Sequence, residues 1–264
     1  MGNIIEVKDL VKNFKGLTAV DNISFTVKEG ETFAFLGPNG AGKTTTIKML
    51  TTLLHPTNGS MLVAGFDPVK ESDKVRHSFG IVFQDPSLDT DLTAYENLLF
   101  HAVMYNIPKK ERDKRIKEVL KLVELLDRKD SFVKTFSGGM QRRLEIARSI
   151  IHIPKILFLD EPTIGLDPQT RIHIWQHMKK LTIESKMTVF LTTHYMEEAE
   201  KMADRIAIID HGKIVAQGTV KELKSKTKTK SLEQAFLALT GHSLREEAGN
   251  AKNEFRQHSK LWGR

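Results

Sequence analysis

Apolar and polar residues alternate along the first 35 positions, as in Ile4-Ile5-Glu6-Val7 and Ile23-Ser24-Phe25-Thr26-Val27. Lys28-Glu29-Gly30-Glu31 breaks that pattern before Thr32-Phe33-Ala34-Phe35-Leu36. A period of two with a glycine turn predicts strands, here an antiparallel layer leading into a buried strand. A Gly-rich turn follows, then a helix over Lys43 to Leu54, with short strands predicted at Ser60 to Ala64 and Phe79 to Phe83.

Between Thr93 and about Ile151 the pattern turns helical. Thr93-Ala94-Tyr95-Glu96 has the capping-box arrangement of a helix start. After Pro108, Ile116, Val119, Leu120, Val123 and Leu126 recur at three- and four-residue spacing, one apolar stripe on a charged helix. Residues of about 85–151 therefore read as a helical subdomain inserted into an α/β core.

The core then resumes. Ile156 to Leu159 is all apolar, as expected of a strand covered on both faces. Asp167-Pro168 forms an N-cap and first-turn pair for a helix reaching about Ile183. A strand at Met187 to Leu191, a helix at Tyr195 to Ala203 and a strand at Arg205 to Ile209 follow. His211-Gly212 then predicts a hairpin into Ile214-Val215-Ala216. The lysine-rich run Lys224 to Lys230 is low in complexity and reads as a mobile linker. The predicted fold is α/β, with a mostly parallel sheet, an N-terminal antiparallel layer and the inserted helices.

Charge refines this picture only modestly. The net charge is +7, but residues 221–264 carry ten Lys/Arg against five Asp/Glu, so only two net positive charges fall on the first 220. A body built to neutralise nucleic-acid phosphates would concentrate its basic residues, so nucleic acid is an unexpected partner and 221–264 reads as a basic, partly flexible tail. Cysteine is absent, excluding disulfides and cysteine-bound zinc. Glu6, Lys8 and Asp9 interrupt any apolar region a signal peptide would need. No 18 apolar residues run together, so the sequence predicts no span of the membrane by itself.

Candidate chemistry begins at Gly37-Pro38-Asn39-Gly40-Ala41-Gly42-Lys43-Thr44, which matches G-x-x-x-x-G-K-[ST] and is followed by Thr45. Glycines let backbone N–H groups close around phosphate oxygens, and the helix that follows aims its positive end at the same anion. Lys43 would neutralise β- and γ-phosphate charge, and the Thr44 hydroxyl would ligate Mg²⁺. A chance match in a chain of this length is on the order of one in a hundred, and the motif also lies between a strand and a helix. The pattern predicts a nucleoside-triphosphate site.

Ile156-Leu157-Phe158-Leu159 ends in Asp160-Glu161. A buried parallel strand presents such residues at its carboxyl end, where open α/β sheets bind ligands. Asp160 suits Mg²⁺ and Glu161 suits a general base that polarises the attacking water.

In combination these motifs and several others resemble the ATP-binding cassette (ABC) family over residues 3 to about 220. Ser137-Gly138-Gly139-Met140-Gln141 is similar to the family's signature sequence and lies just upstream of the acidic strand. Ser137 can also cap the helix that follows it. The resemblance implies that Gln84 is the Q-loop residue touching Mg²⁺ or water, and that His194 contacts the γ-phosphate. It implies that Asp167 belongs to a D-loop crossing to a partner's site, with its N-cap role an alternative. Phe14 stands where the family stacks an aromatic on adenine, with core packing as its other reading. Phe136 departs from the commoner leucine, and Met140 from the commoner glutamine.

The family resemblance implies ATP and Mg²⁺ as ligands and a head-to-tail pair of cassettes. In that pair the phosphate loop of one chain and the signature serine of the other grip one nucleotide. It further implies a homodimer or a pair with a similar cassette, a separate transmembrane permease, and a peripheral place on the cytoplasmic face of the membrane. Phe83 to Asp89, Leu92 to Leu98, His194 to Glu200 and Leu232 to Gly241 resemble the daunorubicin-resistance exporter ATPases, which implies export of drugs or other amphiphilic or polymeric cargo. The alternative is a non-transport ABC ATPase acting on ribosomes or nucleic acid, for which the basic tail is the only support.

Overall fold

The computed structural model describes residues 2–241, without six side chains between 177 and 185. In chain order its elements are β1 (Asn3–Phe14), β2 (Leu17–Lys28), β3 (Thr32–Leu36), α1 (Lys43–Leu50), β4 (Asn58–Val63), α2 (Ser72–Ser78) and β5 (Phe79–Val82). Helices α3 (Ala94–Met104), α4 (Lys109–Leu122) and α5 (Gly138–Ile150) follow. Then come β6 (Ile156–Asp160), α6 (Pro168–Ser185), β7 (Thr188–Thr193), α7 (Met196–Met202), β8 (Arg205–Asp210) and β9 (Lys213–Gly218), and last α8 (Val220–Thr227) and α9 (Leu232–Thr240).

The alternating N-terminal pattern folds as expected. Strands β1, β2 and β4 make an antiparallel sheet in the order β2-β1-β4. The second sheet runs β5-β6-β7-β3-β8-β9 and is parallel except for β9. All five residues of β3 and of β6 are buried, which is why both read as near-continuous apolar runs.

Period two decides which layer each side chain meets. Phe33, Phe35, Phe158 and Phe190 face the antiparallel sheet, where Phe25 joins them. Phe25 lies 5.0 Å from Phe35 in an edge contact and 5.6 Å from Phe33 in a stack. Ala34, Leu36, Leu157, Leu159, Val189 and Leu191 face the opposite way and share a core with α3, α4 and α5. At about 1.5–3 kcal/mol per buried large apolar side chain, the two cores hold the central sheet rigid between them.

The helical stretch begins where the capping box places it: Thr93 accepts the Glu96 amide at 3.2 Å, and the Glu96 carboxylate accepts the Thr93 N–H at 2.8 Å. Ile116, Val119 and Leu120 are the buried stripe of α4. Val123 caps that helix, and Leu126 falls on the separate turn after it. Helix α1 ends at Leu50, four residues short of the expected end.

One expectation is corrected. The lysine-rich run expected as a mobile linker is helical through Thr227, within α8. Thr219 and Glu222 form a second capping box, and Leu223 is buried beneath the helix. Leu223 shares that core with Leu232 and Phe236 of α9, and Val220 packs against it. Residues 242–264, the rest of the expected basic tail, lie outside the described residues. Among the described residues no helix is long and apolar enough to cross a membrane.

Candidate nucleotide site

The strand order sets the site. From the end of β3 the chain leaves through α1 and β4 to reach β5 at the far edge. It then returns through β6 and β7 to the flank of β3. Carboxyl ends of β3, β6 and β7 therefore lie side by side at the reversal, where open α/β sheets hold ligands.

The phosphate loop leaves β3 in space that only glycine fits at its two ends. A Cβ on Gly37 would lie 2.2 Å from the Ile209 carbonyl oxygen. Gly42 has φ +102°, and a Cβ there would lie 2.5 Å from the Ala19 carbonyl oxygen. Pro38 and Ala41 are buried, whereas Asn39 and Gly40 form the exposed tip. Lys43 opens α1 but turns back: its Nζ donates to the carbonyls of Gly37 at 2.7 Å and Pro38 at 2.8 Å. The same ammonium lies 3.2 Å from Glu161 Oε1. Thr44 and Thr45 are half-buried on the first turn of α1.

Asp160 closes β6, and its Oδ1 accepts the Thr44 hydroxyl at 3.2 Å and the Thr192 hydroxyl at 2.6 Å. Burial raises its pKa above the usual carboxylate value, against the two hydroxyls and Lys43. The Thr192 hydroxyl also accepts the Glu161 amide at 3.0 Å. Glu161 itself has φ +47°, a left-handed conformation that costs a non-glycine residue about 1–3 kcal/mol. Its Oε2 lies 3.1 Å from His194 Nδ1. Burial alone would raise the Glu161 pKa, but the His194 hydrogen bond and the charge of Lys43 together bring it below the usual value.

Lys43, Thr44, Asp160, Glu161 and His194 are thus one hydrogen-bonded cluster. Gln84 is not bonded into it. It is exposed, just past β5, the neighbour of β6 that sets Val82 opposite Leu159. Its backbone is fixed from below by buried Arg142, which donates to the carbonyls of Phe83 at 2.6 Å and Gln84 at 3.3 Å and pairs with Glu145 at 2.8 Å. Phe14 ends β1 with 46% of its surface exposed and Lys12 Nζ 5.2 Å from its ring centre, so it is not a core residue.

The signature residues occupy a different part of the surface. Ser137 caps α5 by accepting the Met140 amide at 3.3 Å, leaving Ser137 and Gly138 exposed at the positive end of that helix. Met140 packs on the helical core, and Gln141 turns back towards the carbonyls of Val133 and Phe136. A Cβ on Gly139 would lie 2.4 Å from Thr170 Cγ2. Asp167 caps α6, accepting the amides of Gln169 and Thr170 at 3.0 Å each and the Thr170 hydroxyl at 2.5 Å. Its N-cap reading is the one realised within a single chain.

Sequence reasoning missed Thr192, Thr193, Thr163, Glu198 and Arg142. Each is a common residue with no local signal: Thr192 and Thr193 come to the site on β7 beside β6, Thr163 lies in the turn after Glu161, and Glu198 and Arg142 reach in from helices. Among the described residues no three His, Cys, Asp or Glu side chains cluster as a metal cage. The adjacent oxygens of Thr44 and Asp160 instead suit a hard cation that takes its other ligands from water and phosphate, as Mg²⁺ does.

Comparison with known proteins agrees with this geometry. A family model described as ABC transporter matches residues 20–164. The linearmycin resistance ATP-binding protein LnrL of Bacillus subtilis (strain 168) is 45% identical over 223 residues, covering 84% of this chain and 71% of that protein. The daunorubicin/doxorubicin resistance ATP-binding protein DrrA of Streptomyces peucetius is 44% identical over 244 residues, covering 92% and 72%. A solved dimer of the ATP-binding cassette MJ0796, in a post-hydrolysis state with ADP and Pi, superposes with a TM-score of 0.73 at 31% identity, covering 81% of this chain and 98% of that one.

Proposed function

The chain belongs to the ABC transporter family and is an ATP-binding, ATP-hydrolysing transporter subunit, and we propose that it drives drug export through a separate permease as a head-to-tail homodimer. The observation that carries the ATP-hydrolysing part of this reading is the hydrogen-bonded cluster of Lys43, Thr44, Asp160, Glu161 and His194 at the ends of β3, β6 and β7. Relatives named for linearmycin and daunorubicin resistance favour transport over the nucleic-acid alternative.

In this reading the ATP phosphates lie in the loop from Gly37 to Thr45, with Asn39 and Gly40 at its open rim. Two of the Lys43 ammonium donors hold the loop's own carbonyls, which aims the third at either Glu161 or a γ-phosphate oxygen. Thr44 and Asp160, with Gln84 just past β5 as a further candidate, would hold Mg²⁺, which would supply positive charge against the β- and γ-phosphates. Glu161 accepts the proton of the attacking water, and its lowered pKa keeps it ionised at neutral pH. His194 orients that carboxylate from the end of β7. Phe14 stacks on the adenine.

A second copy supplies Ser137-Gly138-Gly139 to the same γ-phosphate, and Asp167 flanks the shared interface. We take residues 1–220 as the cassette, with about 85–151 as its inserted helices, docked peripherally on the cytoplasmic face of the membrane. Two measurements test this function: ATP turnover by the purified chain against its Glu161→Gln variant, and identification of the hydrophobic subunit that co-purifies from membranes. Equal turnover in the two proteins would remove the assignment of the base.

A further inference from the structure

Glu198 touches none of the groups assigned to ATP, yet it ties together the two loops that carry Glu161 and His194. It lies in the first turn of α7 and is 3% exposed. Its Oε1 accepts the hydroxyl of Thr163, and its Oε2 accepts that of Thr193 at 2.7 Å. Thr163 is two residues past Glu161, and Thr193 immediately precedes His194. The Thr193 hydroxyl in turn accepts the Tyr195 amide at 2.9 Å, so the chain is pinned on both sides of His194.

A second connection runs to α6. Arg171 Nε is 3.8 Å from Glu198 Oε1, and its guanidinium lies 4.2 Å from the centre of the Tyr195 ring. The Tyr195 ring lies 4.1 Å from that of His194. Arg171 sits one turn beyond Asp167, and its amide donates to the Asp167 carbonyl at 3.0 Å.

These contacts matter because Glu161 is left-handed, and such a residue persists only where its surroundings over-determine it. Thr192 fixes the amide of Glu161. The segment after it has Thr163 as its buried anchor, and Thr163 is held by Glu198. The 3.1 Å contact of Glu161 with His194 requires both loops to keep one register.

We propose that Glu198 is a positioning residue for ATP hydrolysis: by bridging Thr163 and Thr193 it fixes the Glu161 carboxylate against His194. The inference rests on Glu161 being the base. It assigns Glu198 no contact with nucleotide, water or metal. Burial pushes the Glu198 carboxyl upward, against the two threonine hydroxyls that favour its ionised form, and an amide of the same shape would keep one acceptor while turning an NH2 donor to the other hydroxyl.

The test is steady-state hydrolysis by the full chain, with ATP affinity and thermal unfolding measured alongside, for wild type, Glu161→Gln, Glu198→Ala, Glu198→Gln and Thr163→Val. Glu198→Ala should lower kcat by roughly ten- to a hundredfold, the scale of a displaced catalytic group, with ATP affinity unchanged. Glu198→Gln, which keeps the shape and one acceptor, should fall between Glu198→Ala and wild type, and Thr163→Val, which removes one arm of the bridge, should lower kcat without raising KM. A folded Glu198→Ala with wild-type kcat overturns the proposal, as does a parallel loss of ATP affinity. If Glu198→Ala does not fold, an unchanged kcat in Thr163→Val overturns it. Full activity in Glu161→Gln would instead remove the underlying base assignment.

Discussion

Lys43 and Glu161 face each other at 3.2 Å across the mouth of the phosphate loop, and both side chains are more than nine-tenths buried. Removing one partner of such a pair strands a buried charge, at about 3–5 kcal/mol. Lys43→Met should therefore abolish nucleotide binding and also lower stability by roughly that amount. Adding Glu161→Gln should restore much of the stability but none of the binding. Denaturant unfolding of the two single variants and the double variant measures the coupling.

Glu161→Gln keeps the shape of the side chain but not its basicity. Its kcat should fall by about 10²–10⁴-fold, the usual worth of a general base, while ATP affinity is retained. Single-turnover hydrolysis beside equilibrium binding separates the two quantities.

Asp160 and Glu161 are neighbours with opposite pH behaviour. The folded state lowers the Glu161 pKa, so that residue contributes stability above the usual carboxylate range and loses it as pH falls through its lowered value. Asp160 is raised, so its charge costs stability at neutral and alkaline pH, and the cost vanishes as pH falls below its unfolded value. Asp160→Asn should thus raise Tm at pH 8 by about 2–4 °C, the shift for roughly 1 kcal/mol in a chain of this size. The advantage should shrink towards pH 4, and turnover should be lost throughout. Thermal scans across pH check the sign.

The contact between Gly139 and Thr170 joins the start of α5 to the start of α6. Gly139→Ala would press a methyl to 2.4 Å from Thr170 Cγ2, while the Thr170 hydroxyl is anchored on Asp167. Overpacking of this kind costs about 1–3 kcal/mol. Thr170→Ser removes the methyl and keeps the hydroxyl, so the double variant should recover most of the loss in chemical denaturation.

Much of this architecture was legible in the chain. Alternation placed β1 and β2, apolar runs placed β3 and β6, and Thr93 to Glu96 announced α3, because each signal is local. Lys43, Asp160 and Glu161 stood out for the same reason. The clamps on them did not. Thr192 meets Asp160 only because β6 and β7 pair in register, and Arg142 reaches the residues after β5 from a helix 58 positions away. Helix α8 was hidden because its lysines conceal one buried leucine that α9 covers from outside the segment.

If two chains share each ATP, the mass of the purified chain in solution shows it most directly. Glu161→Gln should be a monomer alone and double its mass with ATP and Mg²⁺ in sedimentation equilibrium. Adding Ser137→Arg should return it to monomer while ATP still binds. A Glu161→Gln chain that stays monomeric when saturated with ATP, or a double variant that dimerises equally well, would contradict the shared site.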